Sequence, residues 1–322
     1  MLSRSKTSVG VIGLGIIGTR VIANLRNAGY EVWLWNRSPR MEPNFLPSAR
    51  EVAECARIIQ FFVSDGTALL EAIDNMSLSL TPAHLLINHA TILPEESREA
   101  ARRARQVGAR FIDAPFTGSR DAAGKASLVF YVGGNSTDIE EARPILSVSS
   151  KEIIVIGEVG EASAIKIATN LVTASIVQSL AEALAILHRE GVAMEKFDLA
   201  MGSNASRSTT SDMKLPSMAA GDFEVRFSLK HMLKDVQHAL RIGEIHQLEL
   251  PLASAFSAAA MAGIQRGWAD DDFSAVARHY NLPGAGLPLD MVASDASTPM
   301  AESSENTALE KKGLLQSFFG KK

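Results

Sequence analysis

The feature that most restricts the fold of this chain is Gly13-Leu14-Gly15-Ile16-Ile17-Gly18, placed directly after the β-branched run 9–12 and opening a helical pattern over 16–28. Glycines at the first, third and sixth places let a strand turn sharply into a helix. They also let a ligand approach the backbone and the helix pack close on the strand. Backbone N–H groups at the helix N-terminus then face whatever lies over the turn, which suits a pyrophosphate. Such a pattern alone is weak, but set between a strand and a helix it predicts dinucleotide binding.

The rest of the first half agrees with that start. Short β-branched runs at 9–12, 31–35, 57–63, 85–88, 110–113, 127–132 and 152–156 alternate with helical stretches such as 16–28, 94–107 and 137–146. This alternation predicts βαβ units and a parallel sheet. Beyond Gly160 the strand signal nearly vanishes, and 3.6-residue periodicity marks helices at 163–190, 208–219, 229–246, 252–266 and 273–280. The predicted fold class is therefore α/β. A Rossmann-type parallel-sheet domain over 1–160 precedes an all-helical domain over 161–283 that opens on a long interdomain helix. Residues 284–322, rich in Pro, Gly, Ser and Ala at first, read as a flexible tail whose last ten residues carry a weak helical pattern.

Composition removes several classes of function. With 32 Lys and Arg against 36 Asp and Glu, the chain has no basic surplus to suggest nucleic acid or an anionic membrane as partner. The apolar stretch 165–187 is interrupted by Lys166, Asn170, Gln178 and Glu182, so it reads as a core helix and not a membrane span. The N-terminal Arg4 and Lys6 precede an apolar run broken by glycines, which reads as structure and not a leader. The lone cysteine, Cys55, supplies neither an internal disulfide nor a metal cluster and fits a reducing, cytoplasmic setting. The histidines, among them His231, His238 and His246, show no ligand spacing, and no metal site is expected.

Three further motifs bear on chemistry. After the second strand, where a ribose-binding carboxylate would stand, the chain has Asn36-Arg37-Ser38 with Arg40 nearby. Two guanidinium groups there suit a 2′-phosphate and favour NADP over NAD, although solvated surface arginines satisfy the same pattern. Asp113-Ala114-Pro115-Phe116-Thr117-Gly118-Ser119 lies at a strand's carboxyl end, where ligands of open α/β sheets collect. Its hydroxyls and amides can hold a carboxylate, and it also reads as an ordinary turn. Ser163, Lys166, Asn170 and Thr173 form one polar stripe on an otherwise apolar helix. Lys166 there is either a proton donor or a snorkelling surface lysine. The apolar positions Ala181, Leu184 and Leu187 suggest a face that a second copy covers.

Taken in order and spacing, these motifs resemble the β-hydroxyacid dehydrogenase family, which includes 3-hydroxyisobutyrate dehydrogenases, tartronate semialdehyde reductases and glyoxylate/succinic semialdehyde reductases. The resemblance runs from about Ser8 to Asn281. It implies that Gly13, Leu14, Gly15, Ile16, Ile17, Gly18, Asn36, Arg37 and Ser38 bind NADP, with Thr91 beside the nicotinamide ribose and Lys234 also on the cofactor. It implies that Thr117, Gly118 and Ser119 hold the substrate carboxylate and that Phe227 and Asp235 complete the substrate pocket. Lys166 matches the family's catalytic lysine and Asn170 its companion one turn on. Thr117 replaces the commoner Ser, and Ala162 with Gly118-Ser119 leans toward the glyoxylate/succinic semialdehyde branch. The implied activity is NADPH-dependent interconversion of a small carboxylate-bearing aldehyde and its hydroxy acid by a homodimer or homotetramer. Other readings are a 3-hydroxyisobutyrate or tartronate semialdehyde type of dehydrogenase, an imine reductase-like enzyme and a non-catalytic NADP-binding protein. Lys166 speaks against the last two.

Overall fold

The computed structural model describes residues 8–282, so the expectations for the extreme N-terminus and for 284–322 fall outside the described residues. Strands β1 (Ser8–Ile12), β2 (Glu31–Trp35), β3 (Ile58–Phe61), β4 (Leu85–Asn88) and β5 (Arg110–Asp113) lie parallel in the order β2-β1-β3-β4-β5. Most of their side chains are buried, and β4 reads as the continuous apolar run of a sheet covered on both faces. The crossovers are α1 (Gly18–Asn27), α2 (Ala49–Cys55), α3 (Gly66–Met76) and α4 (Pro94–Gln106). One core layer gathers Val11, Leu25, Leu34, Ile87 and Phe130, and the other Ile12, Ile59, Phe61, Leu69 and Leu86. The strand order reverses at β1, which puts the glycine turn at the carboxyl-end crevice where such sheets bind ligands.

The sheet is mixed, not parallel throughout as the sequence pattern predicts. After β5 come β6 (Phe116–Thr117), the five-residue α5 (Arg120–Gly124) and β7 (Leu128–Gly133). Strand β7 runs antiparallel to both β5 and β6. A crossover to a parallel neighbour takes a dozen or more residues and normally a full helix. Here the chain instead folds 116–117 back onto β7, pairing Phe116 with Phe130 and Thr117 with Val129. Helix α6 (Ser136–Ser147) then provides a true crossover, and β8 (Ser150–Gly157) pairs parallel with β7.

The second half is helical: α7 (Glu161–Arg189), α8 (Met194–Gly202), α9 (Thr209–Ala220), α10 (Leu229–Ile245) and α11 (Pro251–Gln265) precede a 3-10 helix at Phe273–Tyr280. The 29 residues of α7 make a rod of roughly 44 Å at 1.5 Å per residue. Ala174, Val177, Leu184, Met232, Val236 and Phe256 form the core that α7 shares with α10 and α11. Ala181 and Leu184 are fully buried in that core, so they are not the face left for another chain. The exposed apolar stripe of α7 is instead Ile165, Val172 and Ile186. The segment 273–280, expected as an α-helix, is held as 3-10 between the capping side chain of Asp272 and the left-handed Asn281. Among the described residues the two halves form one compact unit.

Candidate active site

Gly13 adopts φ +100°, and a Cβ there would lie 2.3 Å from the Phe62 carbonyl oxygen, so only glycine makes this turn. A Cβ on Gly18 would meet the Gly13 carbonyl at 2.2 Å, which keeps α1 tight against the turn. Gly15, by contrast, has nothing within 4 Å, and the backbone beneath it is open to a ligand. No side chain caps the N-terminus of α1 and no acidic residue sits in its first turn, so its amides are available to a pyrophosphate. Asn36 ties this loop to the end of β2. Its Oδ1 accepts from Leu14 N–H at 3.0 Å, and its Nδ2 donates to the Ser38 carbonyl at 2.9 Å. Arg37, Ser38 and Arg40 are exposed beside it. These residues fit a dinucleotide on backbone geometry as well as charge.

At the next strand end, Asp65 caps α3 by accepting from Ala68 N–H at 2.9 Å. Burial pushes its carboxyl up, but hydrogen bonds from Ser64 and Ala68 and the charges of Lys234 and Arg37 outweigh that and hold it below its ordinary range. Thr91 follows β4, and its carbonyl accepts from Lys234 Nζ at 2.5 Å. Lys234 also pairs with Asp235 at 2.9 Å, so α10 reaches across to the loop that follows β4.

Asp235 is 2% exposed, and its carboxylate faces side chains of the protein. A carboxylate only accepts, so it takes the NH2 end of the Asn170 amide, with Nδ2 to Oδ2 at 2.6 Å. The amide oxygen is thereby turned outward, where it accepts from Lys166 Nζ at 2.9 Å. Lys166 is half-buried. Burial pushes its ammonium down to about 8, with Lys234 adding to that effect and Asp235 opposing it. Five residues singled out in the sequence, Thr91, Lys166, Asn170, Lys234 and Asp235, thus form one hydrogen-bonded line from sheet to helices.

Thr117 lies on β6, and Gly118 adopts φ +131° with its absent Cβ only 2.8 Å from Leu128 Cδ2. Ser119 caps α5 by accepting from Ala122 N–H at 3.4 Å, which leaves its O–H free to donate. Arg120, the next residue, donates to Glu224 Oε1 at 3.0 Å and links this turn to the segment that carries Phe227. Phe227 packs against His231 and Phe273.

His89, an alternative proton carrier by sequence, is 2% exposed and stacked on Phe62. Burial pushes it down to about 4, so it is neutral and its Nδ1–H donates to the Ala114 carbonyl at 2.7 Å. Its Nε2 lies 2.9 Å from the Gln60 amide and needs a donor there, which the Gln60 NH2 provides when turned toward it. Sequence reasoning passed over Asp65 and Asn88, whose roles depend on contacts 25 or more residues away in the chain. The Asp65-Gly66 pair before an apolar helical run was the one local signal, as an N-cap.

Comparison with known proteins finds relatives for both halves of the chain. Residues 8–157 match the family model described as the NAD binding domain of 6-phosphogluconate dehydrogenase. Residues 160–280 match that described as NAD-binding of NADP-dependent 3-hydroxyisobutyrate dehydrogenase. Glyoxylate/succinic semialdehyde reductase 2, chloroplastic, of Arabidopsis thaliana is 26% identical over 279 residues, covering 84% of this chain and 78% of its own. Glyoxylate/succinic semialdehyde reductase 1 of the same plant is 27% identical over 278 residues, covering 83% and 96%. The solved structure of Mycobacterium tuberculosis 3-hydroxyisobutyrate dehydrogenase with L-serine superposes with a TM-score of 0.78 at 28% identity, covering 85% of this chain and 99% of that one. With both halves matched in sequence order, this chain belongs to the β-hydroxyacid dehydrogenase family of NAD(P)-dependent oxidoreductases acting on CH–OH groups.

Proposed function

We propose that this chain is an NADPH-dependent reductase of a small carboxylate-bearing aldehyde, of the glyoxylate or succinic semialdehyde kind, with Lys166 as its general acid and base. The observation that carries the reading is the Lys166–Asn170–Asp235 line, which holds an ammonium near its release point in a half-buried position. Bound NADPH supplies the hydride. Thr117, Gly118 and Ser119 offer an O–H and backbone amides to the substrate carboxylate, fixing the aldehyde in one orientation. Negative charge growing on the carbonyl oxygen is met by Lys166 Nζ, which then gives that oxygen a proton and is left as the neutral amine. Asn170 keeps Nζ aimed while this happens, because Asp235 prevents its amide from turning over.

The preference for NADPH rests on exposed Arg37, which stands beside Asn36 where a ribose-binding carboxylate would otherwise lie and whose charge also reaches the Asp65 carboxylate. The exposed apolar stripe of α7 supports a homodimer or homotetramer, and lone Cys55 fits a reducing, cytoplasmic compartment. Purified protein assayed with NADPH and with NADH against glyoxylate, succinic semialdehyde, methylmalonate semialdehyde and tartronate semialdehyde tests the reading. Turnover of glyoxylate or succinic semialdehyde with NADPH well above NADH is expected. Turnover of none of the four aldehydes with either cofactor rejects it.

A further inference from the structure

Asp113 ends β5, is fully buried, and among the described residues has no cationic side chain bonded to it. Its Oδ2 accepts from the Ser163 hydroxyl at 2.7 Å and from Ser163 N–H at 3.1 Å, and its Oδ1 accepts from Asn88 Nδ2 at 3.1 Å. Each named partner is a donor, so the site is built for the ionised carboxylate, even though burial pushes the carboxyl up. Ser163 is the third residue of α7, and the residue before the helix, Gly160, offers no side chain to cap it. Asp113 therefore does for α7, from 50 residues away, what a capping side chain does locally, and it places a negative charge at the positive end of a long helix. Lys166 lies three residues beyond Ser163, within a turn of this anchor. Asn88, on the other oxygen, accepts from Ala90 N–H at 3.0 Å and so braces the turn that leads to Thr91.

We propose that Asp113 is a positioning residue, which locks the start of α7 to the carboxyl edge of the sheet and thereby sets where Lys166 stands relative to the cofactor loop at Thr91. This rests on the reading of Lys166 as proton donor. The chemistry gives the site its shape: two strand ends supply Asn88 and Asp113, the helix supplies Ser163, and a carboxylate is the group that can take all three bonds at once. An asparagine in its place would present an NH2 either to Ser163 N–H or to the Asn88 amide, and one bond would become a clash of donors.

The test is a double-variant cycle of Asp113→Asn, Lys166→Ala and the pair, each with kcat, aldehyde KM and NADPH dissociation constant measured by nucleotide fluorescence. Displacing a reacting group by about 1 Å costs on the order of 10²-fold, so Asp113→Asn should lower kcat by roughly 10 to 100-fold while the NADPH constant stays within about twofold. The pair should be no slower than Lys166→Ala alone, because the lost alignment no longer has a lysine to act on. A wild-type kcat in Asp113→Asn overturns the proposal, and so does a pair that loses the Asp113 factor on top of the lysine factor. Lys166→Ala alone reports on the proton-donor reading: full turnover there rejects that reading, and with it any action of Asp113 through the lysine. Should Asp113→Asn fail to fold, Ser163→Ala, which removes one donor and adds no clash, enters the same cycle. It is expected to slow kcat severalfold with the same non-additivity, and an additive loss overturns the proposal.

Discussion

In the mechanism proposed above, Lys166 joins two opposed demands, since it would have to be charged to meet a developing alkoxide and yet give up its proton within a turnover. Burial and neighbouring Lys234 set it at about 8, near enough to neutrality for both. The sign of the pH dependence follows. Aldehyde reduction needs the ammonium, so kcat/KM in that direction should fall as pH rises through about 8, and oxidation of the hydroxy acid, which needs the free amine, should rise over the same interval. Profiles without that opposite pair of limbs would remove Lys166 from the chemistry. Lys166→Ala should keep NADPH binding and lower turnover by roughly 10²–10⁴. Lys166→Arg should fare no better, because a guanidinium holds its proton throughout. At the other end of the cofactor cleft, Arg37→Ala should weaken NADPH binding by about 1–3 kcal/mol, the range of a charge-assisted hydrogen bond, and leave NADH binding nearly unchanged. Parallel titrations with the two nucleotides decide it, and an equal loss for both would place Arg37 away from the 2′-phosphate.

Helix α9 buries Lys214 against Asp272 at 2.6 Å, with the lysine also over the Phe273 ring. Asp272 in turn accepts from the backbone N–H of Arg226 and Phe227, so the pair ties α9 and the 3-10 helix to the segment that carries Phe227. Lys214→Met would leave a buried carboxylate without its cation, a change that typically costs about 3–5 kcal/mol. A clear drop in urea midpoint is expected, and an unchanged midpoint would mean that the Arg226, Phe227 and Ser274 donors suffice. None of this was legible in the sequence, where Lys214 on α9 and Asp272, the cap of the 3-10 helix, stand 58 residues apart. What was legible had a local cause. The glycine turn, the strand runs of β1, β2, β4 and β5 and the polar stripe of α7 each announce themselves within a few residues. The antiparallel β7 did not, because strand direction is decided by the length of the connection and not by the strand's own residues. The site divides the same way: Lys166 and Asn170 came from spacing on one helix, whereas the Asp113–Ser163 anchor and the nearness of Lys234 to Asp65 depend on long-range contact.

Burial within one chain also decides which surfaces remain for another. Ile165, Val172 and Ile186 lie at seven- and fourteen-residue offsets on α7, so they share a face, and Val172 and Ile186 are 59% and 63% exposed. Beside them, α7, α8, α9 and α11 enclose a groove of about 700 Å³ lined by Leu171, Ile176, Phe197, Met201 and Leu250, with Leu252 at its rim. Exposed Ser179 interrupts the stripe between Val172 and Ile186, yet together with the groove it leaves more apolar surface in water than a single chain usually does. In the homo-oligomer proposed above, a two-fold pairing would set the α7 stripe of each chain against the same stripe of its partner and bury both at once. Such an interface would need to remove roughly 1,200–2,000 Å² from solvent to hold at working concentration. Light scattering should therefore give two or four times the 34.5 kDa of one chain. Val172→Glu, which puts a charge in the centre of the stripe but touches neither Lys166 nor the glycine turn, should shift the mass toward a single chain with the helical content unchanged. A wild-type mass of one chain would contradict the pairing outright, and a dimer untouched by Val172→Glu would move the interface off α7.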